Sequence, residues 1–324
     1  MIAAVPSQPD RPNLIAIVGP TAAGKTAAAI RLARDVGGEV VSADSRYLYR
    51  GMDVGTAKPT CAEMAGVPHH LIDVVGPADD YSLALYQRDA YAAIDDIVRR
   101  GRVPILAGGT PLYVNAVLEG WQVPEVPPDA AFREAMAELA RVEGTAALHA
   151  RLAAVDPVAA ARIAPANARR VIRALEIFAR TGRRMSELEG KRRPPYRTLV
   201  AGLMPPRAAL YAAIDRRVAD QIAGGLIDEV RRLLDDGVPP GAPAMSAIGY
   251  GEIVDYLAGR LTLEQAAERI RHHTHRYARH QLTWLRRMRG VHWFDPGEPG
   301  WYERLRDLAA TFLAENETGG DTTP

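Results

Sequence analysis

A phosphate-binding loop lies near the start of this chain. The segment Gly19-Pro20-Thr21-Ala22-Ala23-Gly24-Lys25-Thr26 fits the pattern G-x-x-x-x-G-K-[ST] and stands between an apolar run and a helix-like segment, as this motif requires. Its glycines let backbone N–H groups turn toward an anion, and the helix that follows adds the partial positive charge of its N-terminus. Lys25 can reach the outer phosphates, and the Thr26 hydroxyl suits Mg²⁺. The loop therefore predicts a bound diphosphate or triphosphate.

An aspartate follows the second apolar run of the chain. Residues 39–43 are typical of a buried strand, and Asp44 comes directly after them. Because the carboxyl ends of strands in a doubly wound sheet face the ligand crevice, this carboxylate should lie near the phosphate loop. A carboxylate there suits a general base. From the residues alone, a helix cap and an outer ligand of Mg²⁺ remain open as alternatives.

The apolar run 103–107 ends in Gly108-Gly109-Thr110 and carries no acidic residue. A nucleotide hydrolase usually places an aspartate at the end of such a strand. The small residues allow close backbone approach, and Thr110 offers a hydroxyl instead of a carboxylate. These residues predict a site that holds a diphosphate beside one base and is poorly equipped to activate water.

Periodicity then indicates the elements that position these residues. Short apolar runs alternate with helical patterns over residues 13–118, which is typical of a parallel α/β sheet. A proline-rich segment at 121–128 interrupts this pattern, residues 129–189 have only helical periodicity, and an apolar run at 198–204 returns to the sheet. The predicted fold class is α/β, a P-loop NTPase-like parallel sheet flanked by helices, with an all-helical insertion domain.

The expected boundaries follow from these patterns. Strands are predicted at 14–18, 39–43, 70–74, 103–107 and 198–204, and core helices at 24–36, 82–100, 111–119, 207–236, 246–258 and 262–289. The predicted divisions are a disordered lead at 1–12, a first part of the core at 13–120, the insertion at 121–195, a continuation of the core at 196–310, and a tail at 311–324.

Composition limits the class of protein. The chain has 324 residues, 48% of them hydrophobic and 24% charged, which is typical of a globular protein. No apolar run approaches the roughly 20 residues of a membrane span, and the first ten residues lack the basic start and apolar centre of a signal peptide. A single cysteine, Cys61, excludes an intramolecular disulfide and fits the reducing cytoplasm.

Positive charge is concentrated in two regions although the net charge is only +1. Residues 169–197 contain ten basic residues and three acids, and residues 269–289 contain seven arginines and no acid. A solvated helix face is one interpretation of each region. Two such regions in a nearly neutral, phosphate-binding protein favour a polyanionic partner. Four histidines in the second region have no accompanying carboxylate or thiolate, so we expect no metal site there.

Several longer motifs together resemble one family, the tRNA dimethylallyltransferases, also called tRNA isopentenyltransferases, in their bacterial form. The resemblance spans about residues 13–295 and keeps the order of the family's motifs. Besides the phosphate loop and Gly108-Gly109-Thr110, it is carried by Asp44-Ser45, Arg50-Gly51-Met52-Asp53-Val54-Gly55-Thr56-Ala57-Lys58-Pro59, His69-His70-Leu71-Ile72-Asp73, Arg173-Ala174-Leu175-Glu176 and Tyr277-Ala278-Arg279-His280-Gln281-Leu282-Thr283-Trp284.

The resemblance implies transfer of a dimethylallyl group from dimethylallyl diphosphate to N6 of the adenosine 3′ of a tRNA anticodon, with Mg²⁺ as cofactor. It implies that Asp44 is the base, that Thr110 lies near the diphosphate and the adenine, and that Lys25 stabilises the leaving group. The implied metal ligand is Thr26. The implied ligands of the diphosphate are Gly19, Thr21, Ala22, Ala23, Gly24, Lys25, Thr26 and Arg217.

The resemblance also implies a set of residues that contact the anticodon stem-loop. Asp44 to Tyr47 would line the pocket of an adenine that has flipped out of its stack. Arginines of the insertion and of the last basic region would contact phosphates, which position an RNA without reading its sequence. The implied tRNA ligands are Asp44, Ser45, Arg46, Tyr47, Arg133, Arg169, Arg170, Arg173, Arg276 and Arg279.

Three positions depart from the family pattern. Tyr47 stands where the family often has glutamine, and a tyrosine can stack on a base but cannot make the same paired contacts to adenine. Asn167 follows Pro165-Ala166 where an aspartate is common, so the helix cap carries no charge. His275 and His280 stand within a region where the family is usually more basic, which weakens the positive charge at neutral pH.

Other functions remain open at this level. A small-molecule kinase would explain the loop and Asp44 but not the basic insertion. Prenyl transfer to free AMP or ADP would keep the chemistry, although the insertion's charge favours a larger acceptor. A non-catalytic RNA-binding protein would leave the loop and the neighbouring base unexplained. The expected partners are tRNA and dimethylallyl diphosphate, with no membrane, and we expect a monomer.

Overall fold

The computed structural model describes residues 11–317. Its strands are β1 Asn13–Val18, β2 Gly38–Ser42, β3 His69–His70, β4 Val103–Gly108, β5 Trp121–Gln122, β6 Gly190–Lys191, β7 Arg197–Leu203 and β8 Val291–Phe294. Its helices are α1 Lys25–Val36, α2 Cys61–Met64, α3 Leu83–Arg99, α4 Pro111–Leu118, α5 Ala130–Val142, α6 Thr145–Val155, α7 Pro157–Arg162, α8 Ala168–Thr181, α9 Met185–Leu188, α10 Arg207–Ala223, α11 Leu226–Asp235, α12 Tyr250–Leu257, α13 Leu263–Leu285 and α14 Trp301–Glu317.

The chain divides into two units. One comprises residues 1–82, 86–114 and 195–324, of which 11–317 are described, and the other comprises 83–85 and 115–194. The longer segment of the second unit runs from residue 115 to residue 194, whereas the insertion was predicted at 121–195. None of the helices between residues 11 and 317 is both long enough and apolar enough to cross a bilayer.

The first unit is built on a six-stranded parallel sheet with the order β3-β2-β4-β1-β7-β8. A parallel sheet must be covered on both faces, which explains why residues 14–18 of the central strand β1 are apolar and fully buried. One apolar core packs β1, β2, β4 and β7 against α1 and α14. The register pairs Val18 with Gly108 and Ser42 with Ala107, so β1, β2 and β4 end at one edge of the sheet.

A second core of this unit lies among α10, α11, α12 and α13. The buried Glu229 of α11 connects it to the loop that follows β2, because its carboxylate accepts hydrogen bonds from the backbone N–H groups of Asp53, Val54 and Gly55 at 2.8, 2.8 and 3.0 Å. The Tyr250 hydroxyl donates a further bond at 2.6 Å. One buried carboxylate thus fixes the Asp53–Gly55 segment.

The second unit is mainly helical and has its own apolar core, formed by α6, α7, α8 and α9 with parts of α5. The prediction of an all-helical insertion was wrong in one detail. β5 and β6 form a short antiparallel pair, in which Trp121 pairs with Lys191 and Gln122 with Gly190. A two-residue strand has too little periodicity to be seen in a sequence.

Other local predictions differ from the structure for identifiable reasons. The predicted strand 70–74 ends at His70 because Leu71 and Asp73 have positive φ angles of 60° and 56°. The predicted helix 207–236 is divided into α10 and α11 at Gly225, whose φ is 101°. The predicted helix 246–258 is a 3₁₀ turn at Ala244–Ser246 followed by α12.

Both predicted termini need correction where the structure describes them. Residues 11 and 12 of the predicted lead are in contact with the sheet, since the Arg197 N–H donates to the Pro12 carbonyl at 3.0 Å. The rest of the lead lies outside the described residues. Residues 311–317 of the predicted tail belong to α14, which buries Phe312 in the core. The remaining tail residues are also outside the described part.

We predict that Glu229→Ala lowers the free energy of unfolding by about 3 kcal/mol, because it leaves several buried donors without their acceptor. Hydrogen exchange of the amides of residues 53–55 should accelerate, and the midpoint of thermal unfolding should fall. The matched control is Glu268→Ala on the exposed face of α13. Unchanged exchange at residues 53–55 in Glu229→Ala would contradict the role of this carboxylate.

Candidate active site

The phosphate loop connects β1 to α1 in the conformation that its glycines allow. Gly24 caps α1 with a φ of 84°, and Ala22 also lies in the left-handed region, at 62°. A Cβ atom at Gly19 would lie 2.7 Å from the Leu203 carbonyl oxygen, so only glycine fits between this loop and β7. The Lys25 ammonium donates to the Pro20 carbonyl at 2.7 Å and therefore lies across its own loop.

Lys25 is held in surroundings that disfavour its charge. Burial lowers the pKa of its ammonium from 10.5 to about 8, against the opposing attraction of Asp44, and the Arg217 charge lowers it further. The guanidinium of Arg217 donates to the Thr21 hydroxyl at 3.4 Å. Two cations therefore converge at the loop, and an anion bound there would relieve their repulsion.

Asp44 and Thr110 meet where β2 and β4 end. The Thr110 hydroxyl oxygen accepts from the Ser45 N–H at 3.0 Å, and the Thr110 N–H donates to the Ala43 carbonyl at 3.2 Å. One Asp44 oxygen, Oδ1, accepts from the Arg46 N–H at 2.9 Å. Its other oxygen has no hydrogen-bonding partner among residues 11–317. The half-buried carboxylate is thus oriented by its own turn and keeps an oxygen that can take a proton.

Helix α13 contributes two residues to which the sequence analysis gave no role. The buried Gln281 accepts from the Thr21 N–H at 2.8 Å and donates to the Gly109 carbonyl at 2.8 Å. Burial raises the pKa of the Tyr277 hydroxyl to about 12, with the Asp44 charge adding to the shift and a hydrogen bond with Thr110 opposing it. The sequence did contain a signal for Gln281, because it lies on the apolar, core-facing side of α13. A buried amide needs hydrogen-bonding partners, so its position predicts a specific contact.

Tyr47 lies beside the phosphate loop and lines a small cavity together with Thr26. Its hydroxyl donates to the Ala57 carbonyl at 2.8 Å. Burial raises the pKa of this hydroxyl to about 12, the Asp44 charge adds to the shift, and a hydrogen bond with Thr26 opposes it. The ring therefore lies between the phosphate loop and the segment around Ala57. The assignment of Tyr47 to an adenine pocket stays a prediction. Its position next to the phosphate loop favours contact with the diphosphate of the donor.

The other predicted tRNA ligands of the first unit lie near the loop before α12 and along α13. Arg46 donates to the Pro243 carbonyl at 3.2 Å. Arg276 lines an open groove, together with Tyr277, beside α12 and α13. Arg279 is exposed and donates to the Tyr211 hydroxyl at 3.3 Å. The groove is lined by the basic side chains Arg260, Arg269, His273, Arg276 and His280 and by two carboxylates. Asp255 pairs with Arg260 and Arg269, and Glu252 pairs with His273.

The four predicted tRNA ligands of the second unit fall into two groups. Arg133 makes two hydrogen bonds to the fully buried Glu176, at 2.8 and 2.9 Å, and Arg173 makes a third at 2.6 Å. Burial alone would raise the pKa of Glu176, but hydrogen bonds from Arg133, the Asp129 N–H and Arg173 lower it to about 2.

Arg169 and Arg170 form the second group and are exposed on α8. Arg170 lies 3.9 Å from Glu189, which is a loose ion pair. Arg133 and Arg173 thus have a structural task within the insertion, whereas the side chains of Arg169 and Arg170 are open to solvent. Their role as tRNA ligands stays a prediction in all four cases.

The residues near the loop offer few ligands for a metal ion. In the described part of the chain, no three His, Cys, Asp or Glu side chains converge in a way that could hold a metal ion. Mg²⁺ differs from many metals because it is often bound by one or two protein groups together with substrate phosphates. Thr26, which lies in the first turn of α1 and lines a small cavity with Tyr47, fits that pattern.

The chain is similar to known proteins along most of its length. The family model for IPP transferase matches residues 47–288, and that for isopentenyl transferase matches residues 12–75. A tRNA dimethylallyltransferase of Thermomicrobium roseum is 62% identical over 311 residues, which cover 96% of this chain and 94% of the relative. One of Geobacillus thermodenitrificans is 47% identical, over 89% of this chain and 91% of its own.

Two solved structures are similar along most of the chain. The full-length tRNA isopentenylpyrophosphate transferase of Bacillus halodurans superposes with a TM-score of 0.71 and 43% identity, covering 94% of this chain and 98% of that one. A eukaryotic dimethylallyltransferase acting on tRNA gives a TM-score of 0.80 and 26% identity, covering 94% and 80%. The fold class is therefore that of these transferases, and the chain belongs to the tRNA dimethylallyltransferase family.

Proposed function

We propose that this protein transfers a dimethylallyl group from dimethylallyl diphosphate to N6 of the adenosine 3′ of a tRNA anticodon and releases diphosphate. The observation that carries the proposal is the arrangement at one sheet edge of the phosphate loop, the free oxygen of Asp44 and the Thr110 hydroxyl. The family membership supports the same reaction. A tRNA substrate in turn supports a cytoplasmic location, and the monomeric state stays a prediction.

The donor would bind through its diphosphate. Backbone N–H groups of residues 22–26, Lys25 and Arg217 would surround the phosphate oxygens, with Gly19 and Thr21 shaping the loop. Thr26 would hold Mg²⁺ together with those oxygens, and the ion would neutralise charge on the leaving group. The same cations that repel one another in the free protein would stabilise the negative charge that grows on the diphosphate during the reaction.

The transfer step forms one bond and breaks one. The adenine N6 attacks C1 of the dimethylallyl group, the C1–O bond breaks, and its electron pair leaves with the diphosphate. Asp44 would accept the N6 proton through the oxygen that has no protein partner. Because the N6 lone pair is delocalised into the ring, this nucleophile is weak and benefits from a base. The Thr110 hydroxyl would position the reacting groups beside Asp44.

The acceptor would enter from the side of α12 and α13. A stacked adenine cannot reach Asp44, so the base must leave the anticodon loop, which single-stranded loops permit at low cost. Ser45 and Arg46, which follow Asp44 in the chain, and Tyr277, which lines the groove, would contact the entering base. Arg276 and Arg279 would contact backbone phosphates, and Arg169 and Arg170 of the insertion would do the same for the stem.

The proposal is tested with labelled dimethylallyl diphosphate, Mg²⁺ and an unmodified tRNA transcript whose anticodon is followed by adenosine. Parallel reactions contain AMP with the same donor, or ATP alone. We expect label on the tRNA only. Label on AMP would retain the chemistry but change the acceptor, and ATP consumption without prenyl transfer would favour a kinase instead.

In the same assay, Asp44→Asn should lower kcat by about 10³-fold, because a general base contributes roughly 10²–10⁴. The amide oxygen can still accept from the Arg46 N–H, so the turn and the tRNA affinity should remain nearly unchanged. Asp235→Asn, on an exposed position of α11, is the control. Equal losses of tRNA affinity and transfer in Asp44→Asn would exclude its role as the base.

The lowered pKa of Lys25 predicts a pH dependence of diphosphate binding. With a pKa of about 8, the ammonium is about 90% protonated at pH 7 and about 10% at pH 9. Because the bound anion needs the charged form, affinity for inorganic diphosphate should fall by about tenfold over this range. Calorimetry should also detect proton uptake on binding near pH 8.5.

The control for this titration is Lys25→Arg, which stays charged over the whole range. Its affinity for inorganic diphosphate should vary much less between pH 7 and pH 9. A wild-type affinity with the same weak pH dependence as Lys25→Arg would contradict the role of Lys25.

The two groups of insertion arginines should behave differently. Arg169 and Arg170 are replaced together by alanine. The slope of the logarithm of tRNA affinity against the logarithm of salt concentration should become shallower by the amount expected for about two phosphate contacts, and the free energy of unfolding should stay unchanged. Arg173→Ala should instead lower the free energy of unfolding by about 3 kcal/mol, because Glu176 stays buried with fewer partners. Salt-dependent filter binding and thermal unfolding measure the two effects. The reverse pattern would contradict this division.

A further inference from the structure

We propose that Gln281 is a positioning residue that fixes the phosphate loop to the end of β4, directly before Thr110. It thereby holds the dimethylallyl diphosphate in the correct position relative to Asp44. This inference rests on the proposed function, because it concerns the geometry of the same site. It assigns a task to a residue of α13 that lies far from the phosphate loop in the sequence.

The first observation is the pair of contacts made by the Gln281 amide. Its oxygen accepts from the Thr21 N–H in the first half of the loop, and its nitrogen donates to the Gly109 carbonyl directly before Thr110, both at 2.8 Å. The residue is 2% exposed, so water does not compete for either bond. Only an amide of this length both donates and accepts across the gap; asparagine is shorter, and glutamate has no donor.

The second observation is the fit of the glycine opposite the amide. A Cβ atom at Gly109 would lie 2.6 Å from the Gln281 amide nitrogen, 2.9 Å from the Gly19 carbonyl oxygen and 3.3 Å from the Lys25 ammonium. The absence of a side chain at Gly109 therefore makes room for the Gln281 side chain, the loop and the lysine at once. Gly109 and Gln281 form one complementary contact.

The third observation is that Thr21 is held from two helices. Gln281 of α13 takes its backbone N–H, and Arg217 of α10 donates to its hydroxyl at 3.4 Å. The amide that Gln281 occupies precedes residues 22–26, which leaves that part of the loop for the anion.

These contacts predict a specific consequence. If Gln281 sets the loop against Thr110, its loss displaces the diphosphate relative to the base, and the reaction is sensitive to such displacements. Both the affinity for diphosphate and kcat should then fall, whereas tRNA affinity should not. A residue that only stabilised the fold would leave the affinity of the folded protein for diphosphate unchanged.

The test compares Gln281→Met with Gln221→Met in the full chain. Gln221 also donates to backbone carbonyls, those of Val54 and Gly55 at 3.0 and 2.8 Å, so both variants lose amide hydrogen bonds to the backbone. We expect Gln281→Met to bind inorganic diphosphate about tenfold more weakly, to lose more than tenfold in kcat, and to show faster hydrogen exchange at the Thr21 amide. Gln221→Met should show none of these three changes at the phosphate loop.

A second variant keeps the test decisive. Gly109→Ala places a methyl group against the Gln281 amide, the Gly19 carbonyl and the Lys25 ammonium, so it should lower diphosphate affinity and kcat at least as much as Gln281→Met. The double variant should lose less than the sum of the two single losses, because both substitutions disrupt the contact with Gln281. If Gln281→Met does not fold, Gln281→Asn, which keeps a polar amide but is one methylene shorter, replaces it.

The outcomes separate this inference from the proposed function. Wild-type diphosphate affinity and wild-type exchange at Thr21 in Gln281→Met would overturn the role of Gln281 even if prenyl transfer to tRNA is observed. Absence of prenyl transfer by the wild-type protein would overturn the proposed function. The diphosphate binding measurements would still decide whether Gln281 fixes the loop.

Discussion

Because Val18 pairs with Gly108 and Ser42 pairs with Ala107, the phosphate loop, Asp44 and Thr110 leave the sheet at the same edge. The rest of the candidate site depends on this register. A shift of one residue in a strand would turn its alternate side chains to the other face and separate the cations from the carboxylate. Such a shift would also displace Ile15 and Ile17 of β1, which are fully buried and pack in the core with residues of α1 and β7.

The register brings the Lys25 ammonium close to the Asp44 carboxylate, which has the opposite charge. Burial at this position disfavours the charged form of Lys25. The Lys25 ammonium loses hydration in the loop, which lowers its pKa, while Asp44 stabilises its charged form. Arg217 adds a second positive charge nearby. In the free protein this arrangement is electrostatically unfavourable, and an incoming diphosphate would relieve it. A site of this kind is preorganised for negative charge, which agrees with a reaction whose leaving group gains charge.

The sequence was sufficient for the parts of the site that are local. The phosphate loop, Asp44 and Thr110 each follow a recognisable apolar run, and the alternation of strands and helices predicted the sheet. The sequence did not predict the contacts that a side chain from a distant part of the chain makes with the site. Gln281 reaches Thr21 only through the packing of α13, which no periodicity in α13 specifies. In the same way, the end of β3 could not be predicted from the apolar pattern, because it is caused by the left-handed backbone at Leu71 and Asp73.

Charge counting cannot show which basic side chains are paired inside the domain, and the insertion explains why. Counting basic and acidic residues in a segment gives only its formal net charge. A binding surface depends instead on the charged side chains that are not paired with one another inside the domain. Arg133 and Arg173 surround a carboxylate that has no contact with solvent, so much of their charge is used within the domain. Arg169, on the same helix as Arg173, is exposed. Within the insertion, the arginines that lack a buried acidic partner are therefore the better candidates for contact with an RNA.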